Sequence, residues 1–164
     1  MKKYIATTIN EYLNEALDEY SKWKRKNVTL RGIQDNDSED NGGMAKYGQG
    51  LYTAFLSNRE MAKEYGTVYF VVNAIPKHPK IVYSTNEAEI FLQELVTKYC
   101  KKNNVPRSNY YFSDNTTIAD EMSNQGYDGL IIRGREMVNY KPENVMYFRN
   151  ETELKNFYNQ NIKM

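Results

Sequence analysis

Tyr47-Gly48-Gln49-Gly50-Leu51-Tyr52, with Tyr65 thirteen positions after Tyr52 inside Arg59-Glu60-Met61-Ala62-Lys63-Glu64-Tyr65-Gly66, is the stretch on which the reading of this chain turns. Glycines at 48 and 50 let the backbone turn tightly and pass close to a ligand, because without a Cβ they tolerate positive φ. Tyr52 then begins an apolar strand. Ser57-Asn58-Arg59-Glu60 has the S-x-x-E form of a capping box, so a helix is expected to open there, carry Ala62 and Tyr65 on one face and end at Gly66. Two tyrosines, 52 and 65, are thereby directed to one cleft suited to a flat aromatic ring.

Upstream of this stretch, residues 9–24 place Ile9, Leu13, Ala16, Leu17 and Tyr20 at helical spacing, and residues 28–33 read as a strand. Residues 34–43 are polar and acidic and read as a surface loop between two segments that line the same cleft. Downstream, residues 67–75 give the strongest strand signal, rich in Val, Tyr and Phe and stopped by Pro76 and Pro79; a central place in the sheet is expected. Residues 86–102 form the longest helix behind a second capping box, Ser84-Thr85-Asn86-Glu87. A short helix over 116–125 ended by Gly126, strands at 129–132, 136–140 and 145–148, and a last helix over 151–158 capped by Asn150 complete the pattern. Helices and short strands without regular βαβ alternation predict an α+β fold, with a mixed or antiparallel sheet and flanking helices.

With 164 residues the chain has the length of one domain, 1–164, and no internal repeat or linker divides it. Twenty-two Lys and Arg against 21 Asp and Glu give a net charge of +1, which argues against affinity built on broad phosphate neutralisation. Cys100, the single cysteine, excludes an internal disulfide and a cysteine zinc site, and reads as a small apolar residue of a helix. His78, the single histidine, lies between Pro76 and Pro79 as a loop residue, so histidine acid/base chemistry and a metal site are not expected. No segment approaches the roughly 18 apolar residues that span a bilayer, and a cytoplasmic protein with no membrane partner is the expectation. There is no Walker loop and no G-x-G-x-x-G; Gly48-Gln49-Gly50 lacks a third glycine, so a Rossmann dehydrogenase is not supported.

Leu30-Arg31-Gly32, then Gly48-Gln49-Gly50-Leu51-Tyr52 with Ala62-Lys63-Glu64-Tyr65, then Tyr127-Asp128-Gly129-Leu130 leading to Glu136, stand in an order that resembles the ADP-ribosyltransferase superfamily. The likeness is to its diphtheria-toxin and poly(ADP-ribose)-polymerase-like branch and spans roughly residues 28–148. It implies an ADP-ribosyltransferase-like fold, NAD+ as substrate, no metal, and a small toxin or phage effector. A macromolecular acceptor, protein or nucleic acid, is implied, with an antitoxin or host target as a further partner.

In that likeness Arg31 grips pyrophosphate or ribose oxygens through fixed bidentate donors, and Gly32 offers its backbone to the nicotinamide amide. Tyr52 and Tyr65 sandwich the nicotinamide, with Thr53 following Tyr52 on the strand. Glu136 hydrogen-bonds the ribose 2′-hydroxyl and sets negative charge beside the cation that develops as the glycosidic bond breaks. Glu143 is the rival carboxylate, but it follows Pro142 in what reads as an exposed turn. Arg133 and Arg135 occupy the region that meets the acceptor. Arginine stands where the polymerase-like branch has histidine, and no Ser-Thr-Ser motif is present, so transfer of a single ADP-ribose is expected rather than polymer growth. Gly42-Gly43 and Tyr52-Thr53 keep an NAD+ glycohydrolase open as an alternative, beside a non-catalytic nucleotide- or ADP-ribose-binding module.

Overall fold

The computed structural model describes residues 18–34, 46–107 and 117–163. Within them the chain forms α1 (Glu19–Asn27), β1 (Val28–Ile33), β2 (Leu51–Ala54), α2 (Arg59–Lys63), β3 (Thr67–Val72), β4 (Pro79–Val82), α3 (Thr85–Asn103), α4 (Thr117–Asn124), β5 (Gly129–Ile132), β6 (Glu136–Asn139), β7 (Met146–Phe148) and α5 (Glu151–Asn161). Expectations for residues 9–17, for most of the 34–43 loop with Gly42-Gly43, and for Thr116 fall outside the described residues.

Three of the helix starts follow from side-chain oxygens that satisfy first-turn amides left without helical partners. Asp18 accepts from the Ser21 N–H at α1, Ser84 from the Glu87 N–H at α3, and Asn150 from the Glu153 N–H at α5. At α3 the Glu87 carboxylate also accepts the Tyr83 N–H at 2.9 Å, one residue before the reciprocal partner of an ordinary capping box. Asn104 ends α3 in the left-handed conformation, φ 54°, and the Val105 N–H closes on the Cys100 carbonyl at 3.0 Å. The helix expected from Ser57 is shorter than its sequence suggests. Its cap residue is Asn58, which makes no side-chain capping bond; α2 ends at Lys63, and Tyr65 lies beyond it.

One seven-stranded mixed sheet runs in the order β4-β5-β6-β2-β1-β3-β7. Only β4 and β5 pair in parallel. The α+β expectation therefore holds at the level of a mixed sheet with flanking helices. Two strand readings need correction. Strand β3 is not central: it lies one position from the edge, between β1 and β7. Its apolar run serves two faces, with Phe70 and Val72 toward the α1–α5 cluster and Val71 buried with Leu51 and Ala74. The strand expected over 67–75 ends at Val72, and β4, which was not among the expected strands, opens at Pro79, where an edge strand needs no amide from its first residue.

Registers fix which side chains share a face. Leu30 pairs with Ala54 and Ala54 with Glu136, so one row crosses β1, β2 and β6. All five described helices pack against this face: α1 and α5 through Tyr20 and Leu154 onto Val28 and Val72, α2 through Ala62, and α3 and α4 through Leu92 and Ile118 onto Leu130, Ile132 and Val138. Cys100 is buried in the same α3 core. The sheet is strong within each half and thin between them. Strand β1 registers with β3 over six pairs but with β2 at Leu30–Ala54 alone, so beyond Leu30 the strands splay.

Leu154 is completely buried in the cluster that fastens α1 and α5 to the sheet. Leu154→Ala is expected to destabilise the protein by about 2–5 kcal/mol in denaturant unfolding, through lost transfer energy and a residual cavity. A change below about 1 kcal/mol would show that this cluster is not a tightly packed part of the core.

Candidate active site at the splayed strands

Glu136 is placed by a tight turn. The Arg135 N–H donates to the Ile132 carbonyl at 3.0 Å and the Arg133 N–H to the Val82 carbonyl at 2.9 Å, while Gly134 takes φ 76°. The turn delivers Glu136 as the first residue of β6, opposite Ala54, where the β1–β2 junction opens. Its side chain is only 14% exposed, with Arg135 Nε 3.6 Å from Oε1. Burial pushes the Glu136 carboxyl above its usual range, and the nearby Arg135 and Lys46 charges oppose that rise without cancelling it.

Tyr52 stands on the same face, two residues before Ala54 on β2. Its hydroxyl donates to the Gly48 carbonyl at 2.5 Å and accepts the Tyr47 N–H at 2.9 Å, so the ring is pinned by the loop that precedes its strand. The Tyr47 ring stacks beside it, centroids 6.4 Å apart and planes 22° from parallel. Gly48 adopts φ +96°, and a Cβ there would come 2.9 Å from Ile118 Cβ. The glycine is thus required by the turn and by α4 together. Burial raises the Tyr52 hydroxyl's pKa, and Glu136 adds to the rise, which places the two groups within electrostatic reach.

Gly32 has a packing reason of its own. A Cβ at this position would lie 1.8 Å from the Ala62 carbonyl oxygen and 3.1 Å from Tyr65 Cβ, so the end of α2 presses directly onto it. Tyr65, 47% exposed, follows α2 and covers Gly32. Its ring makes no stacking contact with Tyr52 among the described residues.

Alternation along a strand sends neighbouring side chains to opposite faces. Arg31 and Thr53 accordingly leave the sheet on the face opposite Leu30, Ala54 and Glu136, beside the same splayed junction. The Thr53 hydroxyl is buried without a hydrogen-bond partner. The two turn arginines diverge: the Arg133 guanidinium lies 5.7 Å from the Tyr83 ring centroid, while Arg135 stays with Glu136. Glu143 is exposed and borders a separate cleft of about 540 Å³ with Lys26, Lys77 and Lys141, away from Glu136. His78 is an exposed loop residue whose N–H donates to Asp128.

The structure thus gathers Glu136, Tyr52, Arg135, Gly32 and Tyr65 around one junction and sets Arg31 and Thr53 across the sheet from them. It adds Tyr47 and Lys46, whose charges and dipoles act on Glu136 or its neighbours. The signal for them was adjacency to Gly48 alone. No described helix is long and apolar enough to cross a membrane. The chain matches no protein-family model, and neither a curated protein nor a solved structure matches it.

A carboxyl whose folded pKa exceeds its unfolded value weakens the fold as it ionises; that penalty is absent at low pH and grows as pH rises through the unfolded and then the folded pKa. Glu136→Gln is therefore expected to melt at a higher temperature than wild type at pH 7, with the gap closing toward about pH 4. Equal or lower stability of the variant at pH 7 would show that the Glu136 charge is well solvated or well paired.

Proposed function

We propose that this chain is a mono-ADP-ribosyltransferase, cleaving NAD+ at the nicotinamide bond and passing ADP-ribose to a macromolecule. The observation that carries the reading is the half-hidden Glu136 carboxylate at the mouth of the β1–β2 splay, walled by the pinned Tyr52. Support comes also from the register, which carries Gly32, Tyr52 and Glu136, three residues of the motifs read in the sequence, on one face of the mixed sheet.

In this reading the nicotinamide enters between Tyr52 and Tyr65, above the Gly32 backbone, and its C1′–N bond breaks with the electron pair leaving on nicotinamide. Positive charge develops on the ribose, and Glu136 meets it through the 2′-hydroxyl. A carboxylate in a site of low dielectric stabilises that charge more than water does, and the gain appears only as the charge develops. Arg31 and Thr53 leave the sheet on the opposite face, and Thr53 is buried, so neither is assigned a contact with a dinucleotide held beside Tyr52 and Glu136. The acceptor nucleophile then attacks C1′ and releases a proton. Arg133 and Arg135 flank the approach, which favours an anionic region of a protein or nucleic acid. A cytoplasmic toxin or phage effector, with an antitoxin or host target, is the setting that fits.

Incubation with labelled NAD+ and a cell lysate, with free nicotinamide and label on protein, RNA and DNA followed separately, tests the reading. Wild type is expected to release nicotinamide and label one polymer, and Glu136→Gln to lower kcat by roughly 10²–10³ with little change in KM, the scale of losing one preorganised electrostatic group. Nicotinamide release without label would make the chain an NAD+ glycohydrolase. NAD+ binding without release, indifferent to Glu136→Gln, would make it a binding module.

A further inference from the structure

The Tyr47 side chain is held rigidly, and yet its hydroxyl proton has no acceptor. Its N–H donates to the Tyr52 hydroxyl at 2.9 Å and its carbonyl accepts from the Tyr140 hydroxyl at 2.7 Å, so the backbone is pinned on both sides. Its ring stacks on Tyr52, and the residue is 1% exposed. The Tyr47 hydroxyl at the end of that ring is buried with no hydrogen-bond partner. Buried hydroxyls are nearly always satisfied, because leaving one unpaired forfeits its hydration with no return, so an exception of this kind calls for a reason.

What surrounds the hydroxyl supplies one. The Lys46 ammonium, 5.4 Å from the ring centroid and paired with Glu89 at 3.2 Å, also bears on the Tyr47 oxygen and opposes the rise in its pKa, but an ammonium can only donate, so the hydroxyl proton still has no acceptor. Glu136 and Arg135 act on the same hydroxyl through space: burial raises the Tyr47 pKa first, and the Glu136 charge raises it further. The groups that bear on Glu136 from the elements around it are Arg135 from its own turn, Lys46 and Tyr47 from the loop before β2, Tyr52 from β2 and Glu64 from the end of α2. Of these, Tyr47 alone combines complete burial with an unused donor.

We propose that Tyr47 is a positioning residue for Glu136: when ligand enters, the Tyr47 hydroxyl donates to the Glu136 carboxylate and holds it, ionised, in the orientation that meets the ribose. The inference rests on the transferase reading above. In the free protein Arg135 keeps Glu136 at 3.6 Å, longer than a hydrogen bond, so the carboxylate is free to exchange that loose ion pair for a directed donor. A phenol donor to the charged form lowers the carboxyl pKa in the complex and offsets the rise that burial causes.

Tyr47→Phe separates this role from a structural one, because it keeps the ring and its stacking and deletes only the hydroxyl. Measured on the full chain, the unliganded variant is expected to melt at or above the wild-type temperature. Its nicotinamide release should fall roughly 10- to 100-fold in kcat with KM little changed, as expected for losing a hydrogen bond to a charged group. The acid limb of its pH–rate profile should move to higher pH, since Glu136 would then hold its proton longer. In a Glu136→Gln background, Tyr47→Phe should have little further effect on rate. A variant that melts lower but keeps the wild-type rate and acid limb would overturn the inference and leave the transferase reading standing. A wild-type protein that releases no nicotinamide would overturn both.

Discussion

The single registered pair that joins the two halves of the sheet, Leu30 opposite Ala54, is the constraint on which the rest of the molecule depends. Strands hold one another by ladders of hydrogen bonds, and a ladder reduced to one pair lets the strands on either side diverge. Here β1 continues with β3 over six pairs while β2 stays with β6 over four, so the splay is fixed by strong neighbours on both sides rather than by looseness. The row that crosses the junction runs from Leu30 through Ala54 to Glu136 and on to Ile132, so Glu136 lies one strand from the junction beside Ala54 and the Leu30 cluster. Replacing that junction by a full ladder would close the place where the charged residue meets the opening.

Electrostatics at this point run against stability. A carboxylate 14% exposed, with its nearest cation 3.6 Å away, is neither well hydrated nor well paired. Burial dominates its pKa shift, and the same shortage of partners extends to the Tyr47 hydroxyl and, across the sheet, to the hydroxyls of Thr29 and Thr53. Such groups are drawn together in proteins where a ligand completes them. Elsewhere among the described residues buried side-chain polar atoms find partners, and at Glu151 Lys24 at 2.7 Å and the Tyr20 hydroxyl at 2.7 Å tie α1 to α5. Burial works against ionisation at Glu151 as well, but these two partners prevail and hold its carboxyl below the usual range, the opposite of Glu136.

Much of this was legible in residue order. Ser84 and Asn150 announced α3 and α5 because a short side-chain oxygen beside a first-turn acid answers a local need, independent of the rest of the fold. The strand after Gly50, the strand at 28–33 and the short strands at 129–132 and 136–140, the last ending one residue earlier at Asn139, were equally readable from apolar character and bounding glycines and prolines. What escaped depended on distant parts of the chain. Ser57-Asn58-Arg59-Glu60 has the letters of a capping box, yet α2 is one short turn pressed on Gly32, and packing rather than capping ends it before Tyr65. Pro79 looked like a terminator because only the sheet order reveals an edge position where its missing amide is harmless. Arg31 and Gly32 are neighbours in sequence but occupy opposite faces, and which face belongs with Glu136 became visible only through the register with β2. Tyr47 was in plain view among 15 tyrosines, with nothing local to mark its hydroxyl as unpartnered.

The most direct test of the account is a crystal structure of Glu136→Gln grown with NAD+. The account predicts density for the dinucleotide at the β1–β2 splay, the nicotinamide ring between Tyr52 and Tyr65, and the 2′-hydroxyl of the adjoining ribose within hydrogen-bond distance of residue 136. NAD+ lodged elsewhere, such as the lysine-bordered cleft near Asn144, or a splay left empty at saturating NAD+, would contradict it.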